Sequence, residues 1–334
     1  MTVSPQIVTV FGTGNQAGAV ARALLADKAG RFRVRAISRH PDSKSSKQLV
    51  IEGAEIIHAD GWNQDELTKA FTGSWAAFVN TNSDDPQFLA PGNGPTEFDL
   101  GKNIVDSLIA ANVKNLVYSS FSSSMKQTNG KLFIKPQEMK YQALEYAKSC
   151  GHFEFHCGIY AAWYYEQFLD LPTAEVGGGF PSIPDDEGYL TLRVPVWGSD
   201  ENPSFLSIGN DFGDLVHGIL LDPGKWNGKS IPAVSDVMTF EQLTNVFQKV
   251  TGKKSRYVPL SSWEDFGRGI PEMDDHRLLF AFTQSTGGRY FGDVPTETDT
   301  ANELKKAAAE AQGKVGSRAG LMPVEEFFKI HFVS

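Results

Sequence analysis

The chain has 334 residues, 41% of them hydrophobic and 21% charged, and carries a formal net charge of −9. That length suffices for a sizeable core and allows two domains, while the acidic balance opposes direct binding of DNA or RNA. Two cysteines, Cys150 and Cys157, and seven scattered histidines fit neither a CxxC redox pair nor a zinc site, so no metal is expected and both thiols read as reduced in a cytoplasmic protein. From Met1 to Pro5 the chain runs straight into Ile7-Val8-Thr9-Val10-Phe11. It lacks the charged and then apolar run of a secretory leader, and no apolar stretch reaches membrane-spanning length.

In chain order, the first 160 residues alternate short apolar runs with amphipathic stretches. Strands are predicted at Gln6–Phe11, Phe32–Ser38, Ala54–Ala59, Ala76–Asn80, Asn115–Ser119 and Phe153–Ile159. Helices are predicted between them at Gly18–Lys28, Ser43–Glu52, Asn63–Ala70, Glu97–Ala111 and Gln137–Ser149. Runs rich in Val, Ile, Phe and Ala are what strands covered on both faces require, so the α/β pattern predicts a Rossmann-type, doubly wound parallel sheet. Beyond residue 170 the texture changes. Leu171–Pro184 is rich in Gly and Pro, Tyr189–Val196 reads as a strand, Asn210–Leu220 as a helix and Lys229–Val234 as a strand. Thr239–Thr251 opens on a good N-cap, and further helices are expected at Ser261–Phe266, His276–Phe282 and Pro323–His331. The expected organisation is a nucleotide domain over 1–170, to which 205–235 returns. A smaller, interrupted α+β region over 171–204 and 236–334 would form the other wall of a cleft. Loops 121–135 and 171–188 are expected to order around a ligand.

The most informative segment joins the first strand to the first helix through Gly12, Thr13, Gly14, Asn15, Gln16 and Ala17. Gly12 permits the tight turn, Gly14 lets backbone approach a pyrophosphate, and the helix start presents unpaired N–H groups and a positive dipole end. At the end of the second strand stands Ser38-Arg39-His40. NAD-preferring domains usually carry a carboxylate there, about 20 residues past the last glycine, to bind the ribose hydroxyl. An arginine instead suits a 2′-phosphate, so NADP(H) is the expected cofactor.

Residues 11–25 followed by Arg35-Ala36-Ile37-Ser38-Arg39 resemble the NmrA-like family of atypical short-chain dehydrogenases/reductases. The likeness continues through Gly53–Ile57, Asp60-Gly61, Asn80-Thr81-Asn82, Lys140–Tyr146, Val250–Lys254, Tyr257–Pro259 and Glu325–Phe328. One departure is in the loop itself, Gly-Thr-Gly-Asn-Gln-Ala-Gly where the family usually has Gly-x-x-Gly-x-x-Gly. The resemblance implies Asn15 and Gln16 at the pyrophosphate, Arg39 at the 2′-phosphate, and Asp60, Gly61 and Trp62 at the adenine. It places Thr81 and Asn82 on the ribose and nicotinamide side, and Lys140 matches the family's lysine. Tyr160 is a further expected cofactor contact, although it and Ala161 depart from the Arg-Pro-Gly that the family typically has there.

Short-chain reductases usually work with Tyr-x-x-x-Lys on one helix face. Here the lysine is Lys140 and the residue four before it is Pro136, which has no proton to give. Lys140 is therefore the candidate catalytic acid, or a group that only holds the ribose. Ser119–Ser124 is either a substrate-orienting loop or a solvated turn. The aromatic run Tyr160–Phe168 follows the sixth strand, where ligands bind in open α/β folds. It offers Trp163 and Tyr164, with Phe121, as a wall for a flat substrate, or else the start of a core helix.

Two functions fit. One is an NADPH-dependent reductase of a small aromatic, quinone-like or enone substrate, and the other a catalytically silent NADPH/NADP⁺ redox sensor that regulates a protein partner. Either would be a monomer or homodimer. Non-redox chemistry on a cofactor scaffold stays open.

Overall fold

The computed structural model describes residues 4–89 and 94–333. The first half runs β1 (Gln6–Phe11), α1 (Asn15–Leu25), β2 (Phe32–Ser38), α2 (Lys44–Glu52), β3 (Glu55–His58), α3 (Gln64–Phe71), β4 (Ala76–Val79), α4 (Glu97–Ala110), β5 (Asn115–Ser120), α5 (Ser124–Gln127), α6 (Lys135–Ser149) and β6 (Phe155–Ala161). The second half runs β7 (Trp163–Tyr164), α7 (Leu171–Val176), β8 (Leu190–Leu192), β9 (Ser204–Leu206), α8 (Gly213–Leu221), α9 (Pro223–Trp226) and β10 (Ser230–Ala233). It ends with β11 (Asp236–Val237), α10 (Phe240–Thr251), β12 (Ser255–Tyr257), α11 (Asp274–Ser285), α12 (Asp299–Gln312) and α13 (Val324–Phe332).

Seven strands form one parallel sheet in the order β10-β6-β5-β4-β1-β2-β3. The chain builds β1 to β3 outward on one side, then returns beside β1 with β4 and builds outward on the other. This makes the carboxyl ends of β1 and β4 the switch point, where open α/β sheets bind their ligands. Every residue of β4 is fully buried, as a central strand covered on both faces must be.

The elements differ from the predicted ones where local signals compete. Helix α1 starts at Asn15 rather than Gly18, because Gly14 serves as its N-cap. Helix α6 starts at Lys135 rather than Gln137, because a proline fits the first turn, where its missing N–H has no partner to lose. Strand β6 lies two residues later than predicted, with Asn115 registered on Phe155. The strand expected over Tyr189–Val196 contracts to β8, and Ser261–Phe266 holds only a 3-10 turn at Trp263–Asp265.

Helix α12 went unpredicted. It packs on α8, and Lys28 N–H donates to its Ala311 carbonyl at 3.0 Å. Its inward face mixes Ala301, Leu304, Ala308 and Ala309 with the buried polar residues Lys305 and Gln312, which breaks the apolar periodicity that reveals a helix. Lys305 forms buried ion pairs with Asp211 and Asp214 at 2.8 and 2.7 Å. Close helix contacts here require glycine. A Cβ on Gly213 would overlap the Ala19 carbonyl of α1, and one on Gly218 the Leu304 carbonyl of α12.

Candidate functional site

Above the switch point lies a groove of about 270 Å³. Its walls come from the turn Phe11–Ala17, the β2 end at Ile37–His40, the β3 end at Ala59–Trp62, and Asn80, Asn82, Asp85 and Leu100. Gly12 has φ +99°, in the left-handed region that favours glycine, and its N–H is tied to the Ile37 carbonyl at 3.0 Å. Gly14 is extended, and a Cβ built on it would meet nothing within 4 Å. The open space beside Gly14 is a cradle into which a ligand's phosphates would press. Thr13 is held from behind by a hydroxyl contact to Ser45 at 3.1 Å, and Ala17 is buried against the turn.

A Gly14→Ala variant should therefore fold, since the added methyl meets no atom within 4 Å, losing at most about 1 kcal/mol from the weaker N-cap. It should nevertheless bind NADPH at least about tenfold more weakly. Thermal melting and fluorescence titration check this. Unchanged binding would mean that no phosphate passes over Gly14.

At the β3 end of the groove, a Cβ on Gly61 would come within 2.8 Å of Leu100 Cδ1 and 3.0 Å of Phe11 Cζ, so a larger residue would have to push those side chains aside. Asp60 Oδ1 accepts from Trp62 N–H at 3.0 Å, so its carboxylate braces this turn. Arg39 reaches across the groove to Asp85, Nη2 to Oδ2 at 2.7 Å.

The β4 side of the groove is organised from behind. Lys140 is buried, its Nζ 2.6 Å from the buried Glu97 carboxylate. It also donates to the Thr81 carbonyl, to Thr81 Oγ1 at 3.0 Å and to Asn80 Oδ1 at 3.4 Å. Thr81 Oγ1 in turn donates to Glu97 at 2.5 Å. An ammonium has three hydrogens, and these partners occupy them. Tyr118 of β5 is buried beside this cluster, where burial first and the Glu97 charge second push its phenol well above the usual range.

The aromatic residues converge. Trp163 packs against Trp197, Phe280 and Phe240, with ring centroids 5.5, 5.6 and 5.9 Å away. Phe121 meets Tyr290 edge-on at 6.2 Å, and Tyr290 meets Trp197 at 5.6 Å. Tyr164 links this cluster to the glycine turn by accepting from Gln16 Nε2 at 2.7 Å. Burial pushes the Tyr164 phenol up, with the Gln16 hydrogen bond working against it. Gln16 Oε1 is buried without a partner.

The structure thus gathers Gly12 to Ala17, Arg39, Asp60, Gly61, Trp62 and Asn82 around the groove, with Thr81 and Lys140 behind it. Phe121 and Trp163 stand in the aromatic cluster, and Tyr164, next to Trp163 in β7, is held by Gln16. Tyr160, expected on the cofactor side, is not brought there. Its side chain is buried in the sheet and its hydroxyl meets Ser230 Oγ of β10 at 2.9 Å. It is in register with Ser120, whose hydroxyl donates to the Lys140 carbonyl, so it lies on the α6 face of the sheet, but its hydroxyl is drawn to the β10 edge. Glu97 and Asp85 were not singled out by sequence. Glu97 opens α4 beside the Thr96–Asp99 capping box, where an acidic residue reads simply as a helix-dipole partner, and Asp85 sits in a polar turn. Among the described residues there is no group of three or more His, Cys, Asp or Glu placed to hold a metal, and no helix long and apolar enough to cross a membrane.

A parallel sheet with a glycine turn opening a helix at its switch point defines a Rossmann-type α/β protein. Residues 4–327 match the NmrA-like family, and the chain belongs to that family. It is 70% identical over 332 residues to the NmrA-like family domain-containing oxidoreductase lnbB of Aspergillus flavus, covering 99% of each chain. It is 50% identical over 333 residues to the oxidoreductase FrzB of Cladobotryum sp, covering 98% of each. Among solved structures, the negative transcriptional regulator NmrA in complex with NADP superposes with a TM-score of 0.72 at 19% identity, over 99% of this chain and 96% of that one. The NADPH-dependent quinone oxidoreductase QOR2 of Escherichia coli, complexed with NADPH, does so with a TM-score of 0.67 at 18% identity, over 97% and 99%. At these identities the structural likeness concerns the fold.

Proposed function

We propose that the protein is an NADP(H)-dependent oxidoreductase that reduces a small aromatic, quinone-like or enone substrate. The observation that carries this reading is the Gln16–Tyr164 hydrogen bond, which ties a groove suited to a dinucleotide to the strand that carries Trp163 of the aromatic cluster. The groove fits the cofactor at the open cradle of Gly14, beside the N-terminus of α1. Gly12 to Ala17 would hold the pyrophosphate, Arg39 the 2′-phosphate, Asp60 to Trp62 the adenine, and Asn80, Thr81 and Asn82 the ribose side. When bound, the cofactor supplies the hydride. The names of the relatives, oxidoreductases at 70% and 50% identity, support the same class.

The chain's own residues orient and exclude water. Lys140, gripped by Glu97, fixes the Asn80–Thr81 edge. With its hydrogens turned to Glu97, Thr81 and Asn80, this ammonium is placed to position that edge. Tyr164 and Trp163 would present the flat face that a conjugated substrate stacks on.

A second reading has an observation of its own. Lys140 has its hydrogens engaged and Pro136 stands where a tyrosine would donate, an arrangement that suits a silent NADPH/NADP⁺ sensor regulating a protein partner.

Fluorescence titration with NADPH, NADH and NADP⁺, followed by turnover with a quinone and enone panel, separates the two. Loss of the Arg39 fork should weaken NADPH about 10- to 100-fold in Arg39→Ala while shifting NADH by no more than about threefold. Turnover of any panel member establishes the reductase. Tight binding without turnover, and unequal affinity for the two redox forms, establishes the sensor. If neither nucleotide binds, both readings fail.

A further inference from the structure

We propose that Asp85 is a specificity-determining residue, whose carboxylate competes with the cofactor's 2′-phosphate for the Arg39 guanidinium and so limits the preference for a phosphorylated dinucleotide. This rests on the nucleotide-binding reading above.

The Arg39–Asp85 pair is asymmetric. The Asp85 side chain is 8% exposed, whereas that of Arg39 is 45% exposed. The carboxylate is thus fixed and the guanidinium is the partner free to move. Asp85 is fixed by its own turn, in which Oδ1 accepts from Gln87 N–H at 3.1 Å and the backbone carbonyl accepts from Phe88 N–H at 2.9 Å. The turn is itself anchored, since Phe88 is buried edge-on to Trp62 at 6.3 Å and its carbonyl accepts from Lys135 Nζ at 3.0 Å. With Oδ1 committed to the backbone, Oδ2 is aimed at Arg39 across the mouth of the groove.

The charges around the groove set up the competition. Its lining holds Arg39 as the one Lys or Arg among the described residues, facing the carboxylates of Asp60 and Asp85, with His40 beside them. Asp60 is turned to Trp62 N–H, which leaves Asp85 as the carboxylate that meets Arg39. A 2′-phosphate seated on Arg39 brings a second anion to a guanidinium that already serves a buried one. Either Arg39 divides its five N–H donors between two anions held close together, or it turns away and leaves a buried carboxylate without its partner. Both penalties fall on the phosphorylated cofactor alone. An unphosphorylated ribose leaves the pair intact and finds in Asp85 an acceptor for its hydroxyl.

Asp85→Asn tests this directly, because the amide keeps the shape and the acceptor for Gln87 N–H while removing the charge. Titrated with both nucleotides, the variant should raise the ratio of the NADH to the NADPH dissociation constant about tenfold over the parent, mainly through tighter NADPH. Asp85→Ala removes the same charge and serves if the asparagine variant does not fold. A rise of about threefold or more supports the proposal, and a smaller rise or a fall overturns it. Binding of NADPH and NADH with an unchanged ratio would overturn this inference alone. A parent protein that binds neither would overturn the nucleotide reading and this inference with it.

Discussion

Lys305→Met is expected to destabilise the protein by about 3–5 kcal/mol, because the change leaves the buried Asp211 without a cation and takes one of two from Asp214. Asp211 keeps Ser235 Oγ at 2.6 Å and Met322 N–H at 2.9 Å, and Asp214 keeps Lys314 Nζ at 2.7 Å and Gln312 Nε2 at 2.8 Å. Those contacts satisfy lone pairs, but the lost cation is the one placed between the two charges. The neighbouring Lys306 is exposed, so Lys306→Met should stay within about 0.5 kcal/mol of the parent and is the matched control. Equilibrium denaturation of both variants reads the difference. Equal stability would mean that the pocket reorganises to hydrate or neutralise its carboxylates and that Lys305 is dispensable to the fold.

The second large effect concerns Lys140. Lys140→Met alone should cost about 3–5 kcal/mol of stability, since Glu97 is left buried and charged. Lys140→Met combined with Glu97→Gln removes both charges and should recover most of that loss, because a paired polar site exchanged for a neutral one is close to balanced. The double variant then isolates function from folding. With Lys140 acting as the clamp of the Asn80–Thr81 edge, NADPH binding should weaken while the single-turnover rate at saturating cofactor holds within a few-fold. A single-turnover rate lower by about 10²-fold or more with binding unchanged would instead make Lys140 the acid of the reaction.

How much of the molecule was legible depended on whether a residue's role is local. The glycine turn, the β2 end and the alternation of strands and helices are written in contiguous residues, and the sheet conforms closely to them. The aromatic run Trp163-Tyr164 was visible as well, but its partners Trp197, Phe240, Phe280 and Tyr290 lie far along the chain, and no spacing rule joins them. Glu97 and Asp85 were invisible for the same reason. Each is an acidic residue in a setting where acidity has an ordinary explanation, and only tertiary contact shows which cation it faces. Tyr160 was misplaced because its hydroxyl partner, Ser230 of β10, lies far along the chain. Helix α12 was lost because Lys305 and Gln312 occupy its inward face, so a pattern of apolar residues could not describe a surface held together by charge.

The close packing of α1 has a consequence for how the protein is made. The helix that opens from the glycine turn is flanked by α8 through Gly213, and its last turn is met by α12, with Gln312 Nε2 donating to the Ala23 carbonyl at 3.1 Å. Helix α1 therefore leaves the ribosome well before the neighbours it packs on. At ordinary synthesis rates of about 5–20 residues per second, the nascent nucleotide cradle waits tens of seconds for them. During that interval the α1 face that will receive Gly213 and Gln312 is uncovered. The halves are in this sense not interchangeable cassettes, and a chimera joined after β6 would have to bring its own substitutes for α8 and α12.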